Sequence, residues 1–159
     1  MSEAVEYLTM TGPAHADTVC DMMGGLYAED VAASGNIPRS FRLTVDHLLA
    51  HPDHGRVVLA VAGGAVAGYA LLIPYWSNEF AGRVLFVDEL FVRPDARGRG
   101  IGGGLIRAVL RGRPYEAVAV FLEVSPANAR ARRLYEALGF RERANHTLVH
   151  PLRPAPPTD

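Results

Sequence analysis

The stretch Arg97-Gly98-Arg99-Gly100-Ile101-Gly102-Gly103 holds the residue types of an anion site. Glycine lets the backbone approach a ligand with no Cβ in the way. The N–H groups in the first turn of a helix have no intrahelical acceptor. Together with the helix dipole they favour a bound pyrophosphate. Arg97 and Arg99 add guanidinium groups for charge-assisted contacts. This chemistry needs a strand before the turn and a helix after it. The sequence supplies both: Arg83 to Val92 reads as a long strand, Arg93 to Gly98 as a connection, and Gly100 to Arg111 as a helix.

Other phosphate motifs fit less well. No Gly-Lys-Ser/Thr follows, so the stretch is not a P-loop. Gly98, Gly100 and Gly103 do match a dinucleotide fingerprint, and Glu123 lies 20 residues beyond Gly103. Against that reading, Arg93 to Arg97 separate the strand from the turn. Glu123 is expected inside a strand instead of at its end, and too little chain remains to complete such a fold. An arginine-rich surface turn is the remaining alternative.

The elements around the turn must come from one domain. The chain has 159 residues, 49% hydrophobic and 21% charged, which suits one globular domain over 1–152. Residues 153–159, with three prolines, read as a disordered tail. The net charge of −1 gives no overall pull toward nucleic acid or an anionic membrane. Cys20 is the only cysteine, so no disulfide forms within the chain, which fits a reducing cytoplasm. The start of the chain does not read as a signal peptide. The most apolar stretch, Val57 to Ile73, is broken by Gly63, Gly64 and Gly68 and predicts two short strands instead of a membrane span.

Along the chain, Val5 to Met10 predicts a strand and Asp17 to Leu26 a helix. Ala32 to Ser40 reads as a loop, and Thr44 to Ala50 as a second helix. Arg56 to Ala62 and Ala65 to Ile73 predict strands joined by a Gly63-Gly64 hairpin turn. Pro74 to Gly82 reads as a loop. After the Gly100 helix come a strand over Ala117 to Val124, a helix over Asn128 to Leu138 closed by Gly139, and a last strand over Thr147 to Leu152. The expected fold is α/β: a mixed, mostly antiparallel central sheet with helices on both faces.

The segment Leu85 to Ile106 resembles the central motif of the GNAT superfamily of acetyl-CoA-dependent N-acetyltransferases. That motif is a strand, then Arg/Gln-x-x-Gly-x-Gly/Ala, then a helix; Arg97, Gly100 and Gly102 fill its defined positions. The stretch Asn128 to Phe140 resembles the family's later helix, with Asn128, Tyr135, Gly139 and Phe140 in place. The resemblance is specific from Leu85 to Phe140 and topological before that. It implies acetyl-CoA as co-substrate, with its pyrophosphate on Arg97 to Gly103. It also implies that the pantetheine arm lies between the strands Arg83 to Val92 and Ala117 to Val124, bonded to the backbone of Leu90, Phe91 and Val92. The run Leu85 to Val92 is further similar to the diamine, polyamine and thialysine acetyltransferases, where an acidic pair stands in this strand.

The implied reaction is direct attack of a primary amine on the thioester in a ternary complex. Alkylamines are mostly protonated at neutral pH, so a base must take a proton, directly or through water. Asp88 and Glu89 are the candidates. Side chains alternate along a strand, so one of them faces the acceptor unless a bulge intervenes. The resemblance favours Asp88 as acceptor-facing, with Glu89 second; pairing of either with an arginine is the structural alternative. Glu29 and Asp30 are candidates to line the same cleft for a small cationic amine. Tyr135 lies seven residues, close to two helical turns, after Asn128, so both project from one face. The resemblance turns that face to the cofactor, with Asn128 helping to hold it and the Tyr135 phenol donating to the departing thiolate; a buried aromatic is the alternative.

His47 and His51 have a spacing that can bind zinc, but Pro52 breaks the helix and no further ligand is placed, so no metal is expected. Cys20, among Val19, Met22 and Met23, reads as a buried thiol and not as a nucleophile. The rival class is a non-catalytic acyl-CoA-binding or regulatory module on the same fold, or an enzyme acting on a protein amine. A homodimer is the assembly that the resemblance suggests.

Overall fold

A computed structural model describes residues 4–29, 40–150 and 152. Its elements run β1 (Val5–Thr9), a 3-10 turn at Pro13–His15, α1 (Ala16–Glu29), α2 (Phe41–Ala50), β2 (Arg56–Ala62), β3 (Ala65–Ser77) and β4 (Gly82–Val92). A 3-10 turn at Pro94–Ala96, α3 (Ile101–Gly112), a 3-10 turn at Pro114–Glu116, β5 (Ala119–Leu122) and α4 (Ala129–Ala137) follow.

The five strands lie in chain order, β1-β2-β3-β4-β5. The first three pairings are antiparallel and β4–β5 is parallel. Alternation along β2 explains the layering. Val58 and Ala60 join one core with Leu105, Ile106 and Val109 of α3. Val57 and Leu59 join the other, with Val19, Met22 and Met23 of α1 and Val45 and Leu48 of α2. Each fully buried Leu or Ile contributes about 1.5–3 kcal/mol through lost water contact, so both helical layers are held to the sheet independently of any ligand. Among the described residues, no helix is long and apolar enough to cross a membrane.

Several boundaries differ from the sequence reading. β3 runs on to Ser77 through Pro74, Tyr75 and Trp76, which were expected in a loop. β2 begins at Arg56 opposite Leu72, so beyond Ile73 one edge of β3 is open and a proline is tolerated there. β5 is shorter than expected, and Glu123 follows its end instead of lying inside it. That removes one of the arguments against a dinucleotide fold, while the antiparallel strand order keeps the others. α2 begins at Phe41, because the Ser40 side chain accepts from the Leu43 N–H and caps it.

The last predicted strand does not form among the described residues. Residues 147–150 carry no strand, with Leu148 93% and Val149 79% exposed. Strand propensity acts through packing on a pleated neighbour, and Leu148 and Val149 pack on nothing that buries them. Residues 30–39, which include Asp30 and most of the expected loop, and the tail 153–159 lie outside the described residues.

Candidate active site

Two strands that part company create the site. β4 and β5 pair from Val84–Ala119 to Val87–Leu122 and no further. Asp88 to Val92 therefore has β3 on one side and an open edge on the other. Gly68 permits the close approach of β3 here, since a Cβ on it would meet the Phe91 carbonyl oxygen at 2.6 Å.

The open edge leads into the glycine turn. Gly98 and Gly100 have φ of 79° and 76°, a left-handed conformation natural to glycine. Gly100 caps α3, and the first helical hydrogen bond runs from the Gly104 N–H to its carbonyl at 2.9 Å. The N–H groups of Ile101, Gly102 and Gly103 are thus without intrahelical acceptors. A Cβ at Gly98 or Gly100 would meet nothing within 4 Å, so the turn fronts open space. Ile101 is buried, and Gly103 packs on Leu134 of α4, so these two anchor the turn while Arg99 stands exposed. Gly102 lies beside Val92, which brings the turn against the end of β4.

A cleft of about 310 Å³ joins these parts. It gathers Leu90, Phe91, Val92, Arg97 and Asn128 with Leu26 and Glu29 of α1. Five of the eleven expected cofactor residues thus converge on it from three separate stretches. Arg97 is partly engaged within the protein. Its Nε donates to the Val92 carbonyl at 2.9 Å, and one Nη donates to both Glu29 oxygens at 2.8 and 2.9 Å. It ties the end of β4 to the end of α1, beside the backbone N–H groups of the turn. Glu29, expected near the acceptor, stands on Arg97 in this cleft.

The acidic pair sits on a β-bulge. Leu71 is opposite Glu89 and Leu72 opposite Val87, so Asp88 is the extra residue. The bulge resets the alternation: Val87 stays on the α3 face, whereas Glu89 joins the α1 face with Tyr69 and Leu71. There Tyr69 Oη donates to Glu89 Oε2 at 2.7 Å, and the Tyr27 phenol of α1 is near enough to favour the charged carboxylate. Burial pushes the Glu89 carboxyl above its ordinary range, the two phenols pull it back, and the Asp88 charge adds to the rise. Both phenols are raised in turn, first by burial and then by Glu89. Asp88 is exposed at its surface, yet partial desolvation lifts its carboxyl, and the Glu123 carboxylate lifts it further. Register explains that neighbour: Val87 pairs with Leu122, which puts Glu123 across the gap from Asp88.

Tyr27, Tyr69 and Glu123 were not singled out for these contacts from the sequence. Only Glu123 carries a signal, through parallel register with the strand of Asp88. The two tyrosines reach Glu89 through the bulge and the docking of α1, neither of which spacing reveals.

Asn128 lines the cleft and caps α4, its Oδ1 accepting from the Ala131 N–H at 3.1 Å. Tyr135 is buried against Phe140, ring centroids 5.8 Å apart, and lies outside the lining of the cleft. Its hydroxyl has no protein hydrogen-bond partner among the described residues, and burial raises its pKa. His47, His51 and His54 do meet, with ring centroids 4.7–5.1 Å apart. Among the described residues no group of three side chains is arranged to hold a metal ion.

The model of the acetyltransferase (GNAT) family matches residues 26–140. The chain belongs to this family. The match covers the splayed strands, the glycine turn of the GNAT motif and the α4 stretch together. The chain is 34% identical over 95 residues to YhfO of Bacillus subtilis (strain 168), an uncharacterized N-acetyltransferase, covering 57% of this chain and 62% of that one. It is 32% identical over 81 residues to a thialysine N-epsilon-acetyltransferase of Sus scrofa, covering 50% of this chain and 47% of that one. The matches thus span about half to three fifths of these curated relatives. Aminoglycoside N-acetyltransferase AAC(6')-Iy, solved in complex with CoA, superposes with a TM-score of 0.78 at 22% identity, over 96% of this chain and 98% of that one, and so shares the GNAT fold.

Proposed function

We propose that this GNAT protein transfers an acetyl group from acetyl-CoA to the primary amine of a small cationic acceptor. The observation that carries the reading is the parting of β4 and β5 directly before the glycine turn. It provides an extended edge for a pantetheine arm, followed by free N–H groups for a pyrophosphate. The names of two similar proteins, a thialysine and an aminoglycoside acetyltransferase, agree with a cationic acceptor.

In this reading the bulge presents Asp88 to the acceptor. Asp88 takes a proton from the ammonium, directly or through water, and the amine nitrogen attacks the thioester carbonyl. The tetrahedral intermediate loses the remaining extra proton on its nitrogen to water and collapses with loss of CoA thiolate, which the Tyr135 phenol protonates before recovering a proton from water. Acetylated amine and CoA leave. Glu89, held by Tyr69, supplies a second negative charge that attracts the acceptor. The raised Asp88 carboxyl suits proton transfer near neutral pH better than an ordinary aspartate. The lone Cys20 suits a reducing cytoplasm, and a homodimer is the assembly expected; light scattering tests the latter.

Release of free thiol from acetyl-CoA, followed across diamines, polyamines, lysine analogues, aminoglycosides and peptide N-termini, tests the function. Turnover of a dicationic small amine supports it. CoA binding with no transfer to any of these amines would leave a binding module in its place.

A further inference from the structure

We propose that Glu29 is a latch on the cofactor cleft: its carboxylate holds Arg97 in the free protein and lets go when the diphosphate of CoA enters, which frees the last turn of α1. The inference rests on the reading that this cleft takes CoA.

The contact is built from both sides. Arg97 Nε donates to the Val92 carbonyl at 2.9 Å, which fixes the guanidinium at the end of β4. One Nη donates to both Glu29 oxygens, at 2.8 and 2.9 Å. None of the hydrogen bonds found for Arg97 among the described residues uses the other Nη. The guanidinium carbon lies 5.4 Å from the centre of the Phe91 ring. Helix α1 reaches the same place. A Cβ on Gly25 would meet the Phe91 ring at 3.1 Å, so the helix end lies close against β4.

Charge sets this arrangement against an incoming anion. Among the residues that line the cleft, Arg97 is the one cation and Glu29 the one anion. In the free protein the two cancel. A diphosphate brings further negative charge beside the Glu29 carboxylate. Like charges that are partly shielded from water repel with little screening. The pair that must part is weak by comparison. Its side chains are 37% and 47% exposed, and ion pairs of that kind contribute little. The open Nη can take a phosphate oxygen before the carboxylate leaves, so the exchange strands no charge. Arginine stays protonated and keeps its bond to Val92 throughout.

The latch matters because of what shares its helical turn. Tyr27 lies two residues before Glu29, and its phenol is near enough to Glu89 to favour the charged carboxylate. The last turn of α1 therefore meets the cofactor cleft through Glu29 and the acidic pair through Tyr27. Release of Glu29 loosens the turn that carries Tyr27. Occupancy of the cofactor cleft is thereby passed to the acceptor side, and such linkage is reciprocal.

Calorimetry with CoA and with pantetheine, which lacks the phosphates, tests the exchange on the full chain. Glu29→Gln keeps the size of the side chain and removes its charge. It should bind CoA roughly tenfold more tightly than the native protein does. Pantetheine should bind both alike, and melting should change little. Hydrogen exchange read by nuclear magnetic resonance tests the release. Saturating CoA should speed exchange of the Tyr27, Ala28 and Glu29 amides of the native protein severalfold, as a local opening does, and pantetheine should not. Equal or weaker CoA binding by Glu29→Gln would overturn the proposal and make Glu29 a support for Arg97. Tighter pantetheine binding by the variant would overturn it too, because the shape of the cleft and not its charge would have changed. Slower or unchanged exchange of the three amides on CoA binding would do the same. A native protein that binds no CoA would remove the cofactor reading itself, so the two failures are told apart.

Discussion

Tyr69 of β3 donates its hydroxyl to Glu89 of β4 at 2.7 Å, and Tyr69 itself is fully buried. This contact pins the carboxylate on the α1 face, where only the bulge at Asp88 could bring it. Tyr69→Phe should remove a hydrogen bond to a charged group, lowering stability by about 1.5–3 kcal/mol. It should also raise the Glu89 carboxyl further, because the phenol is one of the groups that holds it down. Glu89 then ionises at higher pH. Steady-state kinetics should show a raised KM for the cationic acceptor, displaced toward higher pH, with kcat little changed. An unchanged KM profile would deny Glu89 its part in holding the acceptor.

Glu89 also predicts a pH dependence of stability. Its folded-state value lies above the ordinary carboxylate value, chiefly through burial. The ionised form is therefore held at a loss in the fold. That loss is complete above the folded-state value and disappears below the unfolded-state one. Glu89→Gln should melt no lower than the native protein at pH 7. Its advantage should shrink as pH falls through the carboxylate range. Melting curves between pH 7 and about 4 check the sign.

Glu123 tunes Asp88 across the gap between β4 and β5. Its charge adds to the rise of the Asp88 carboxyl. Glu123→Gln should let Asp88 ionise at lower pH, so the acid limb of kcat/KM moves down. Asp88→Asn should cost roughly 10²- to 10⁴-fold in turnover, as removal of a general base does. A limb that stays in place in Glu123→Gln would indicate a different base.

The glycine turn separates space from strain. Gly100→Val puts a branched side chain into the open front of the turn at φ 76°. CoA affinity should fall at least roughly tenfold, and the left-handed backbone should cost about 1–3 kcal/mol of stability. Gly102→Ala is the control for packing, since its Cβ would meet Val92 at an ordinary 3.7 Å. Calorimetry with CoA and thermal melting separate the two effects. Unchanged CoA affinity for Gly100→Val would move the pyrophosphate elsewhere.

Tyr135→Phe tests the proton donor. The hydroxyl has no protein partner among the described residues, so melting should stay the same. Burial raises the phenol pKa, which keeps it protonated and able to donate across the working range. Turnover should drop roughly 10- to 10⁴-fold at unchanged CoA affinity. Full turnover at saturating substrates would make water the donor.

The sequence alone determined the parts whose physics is local. Gly98 and Gly100 announced a turn that only glycine adopts readily, placed between a strand and a helix, and the structure has it there. Asn128 and Gly139 announced the ends of one helix, and they cap it. The tertiary structure alone decided what depends on distant partners. The bulge that carries Glu89 to the α1 face arises from the register of β4 against β3, which no spacing within β4 records. That Arg97 reaches the Val92 carbonyl through Nε and Glu29 of α1 through one Nη follows from the docking of that helix, which no local spacing records. The strand expected at Thr147 to Leu152 had the right residue types, yet residues 147–150 join no ladder. Propensity is written in a few consecutive residues, whereas register, docking and pairing are settled by contacts between segments far apart in the chain.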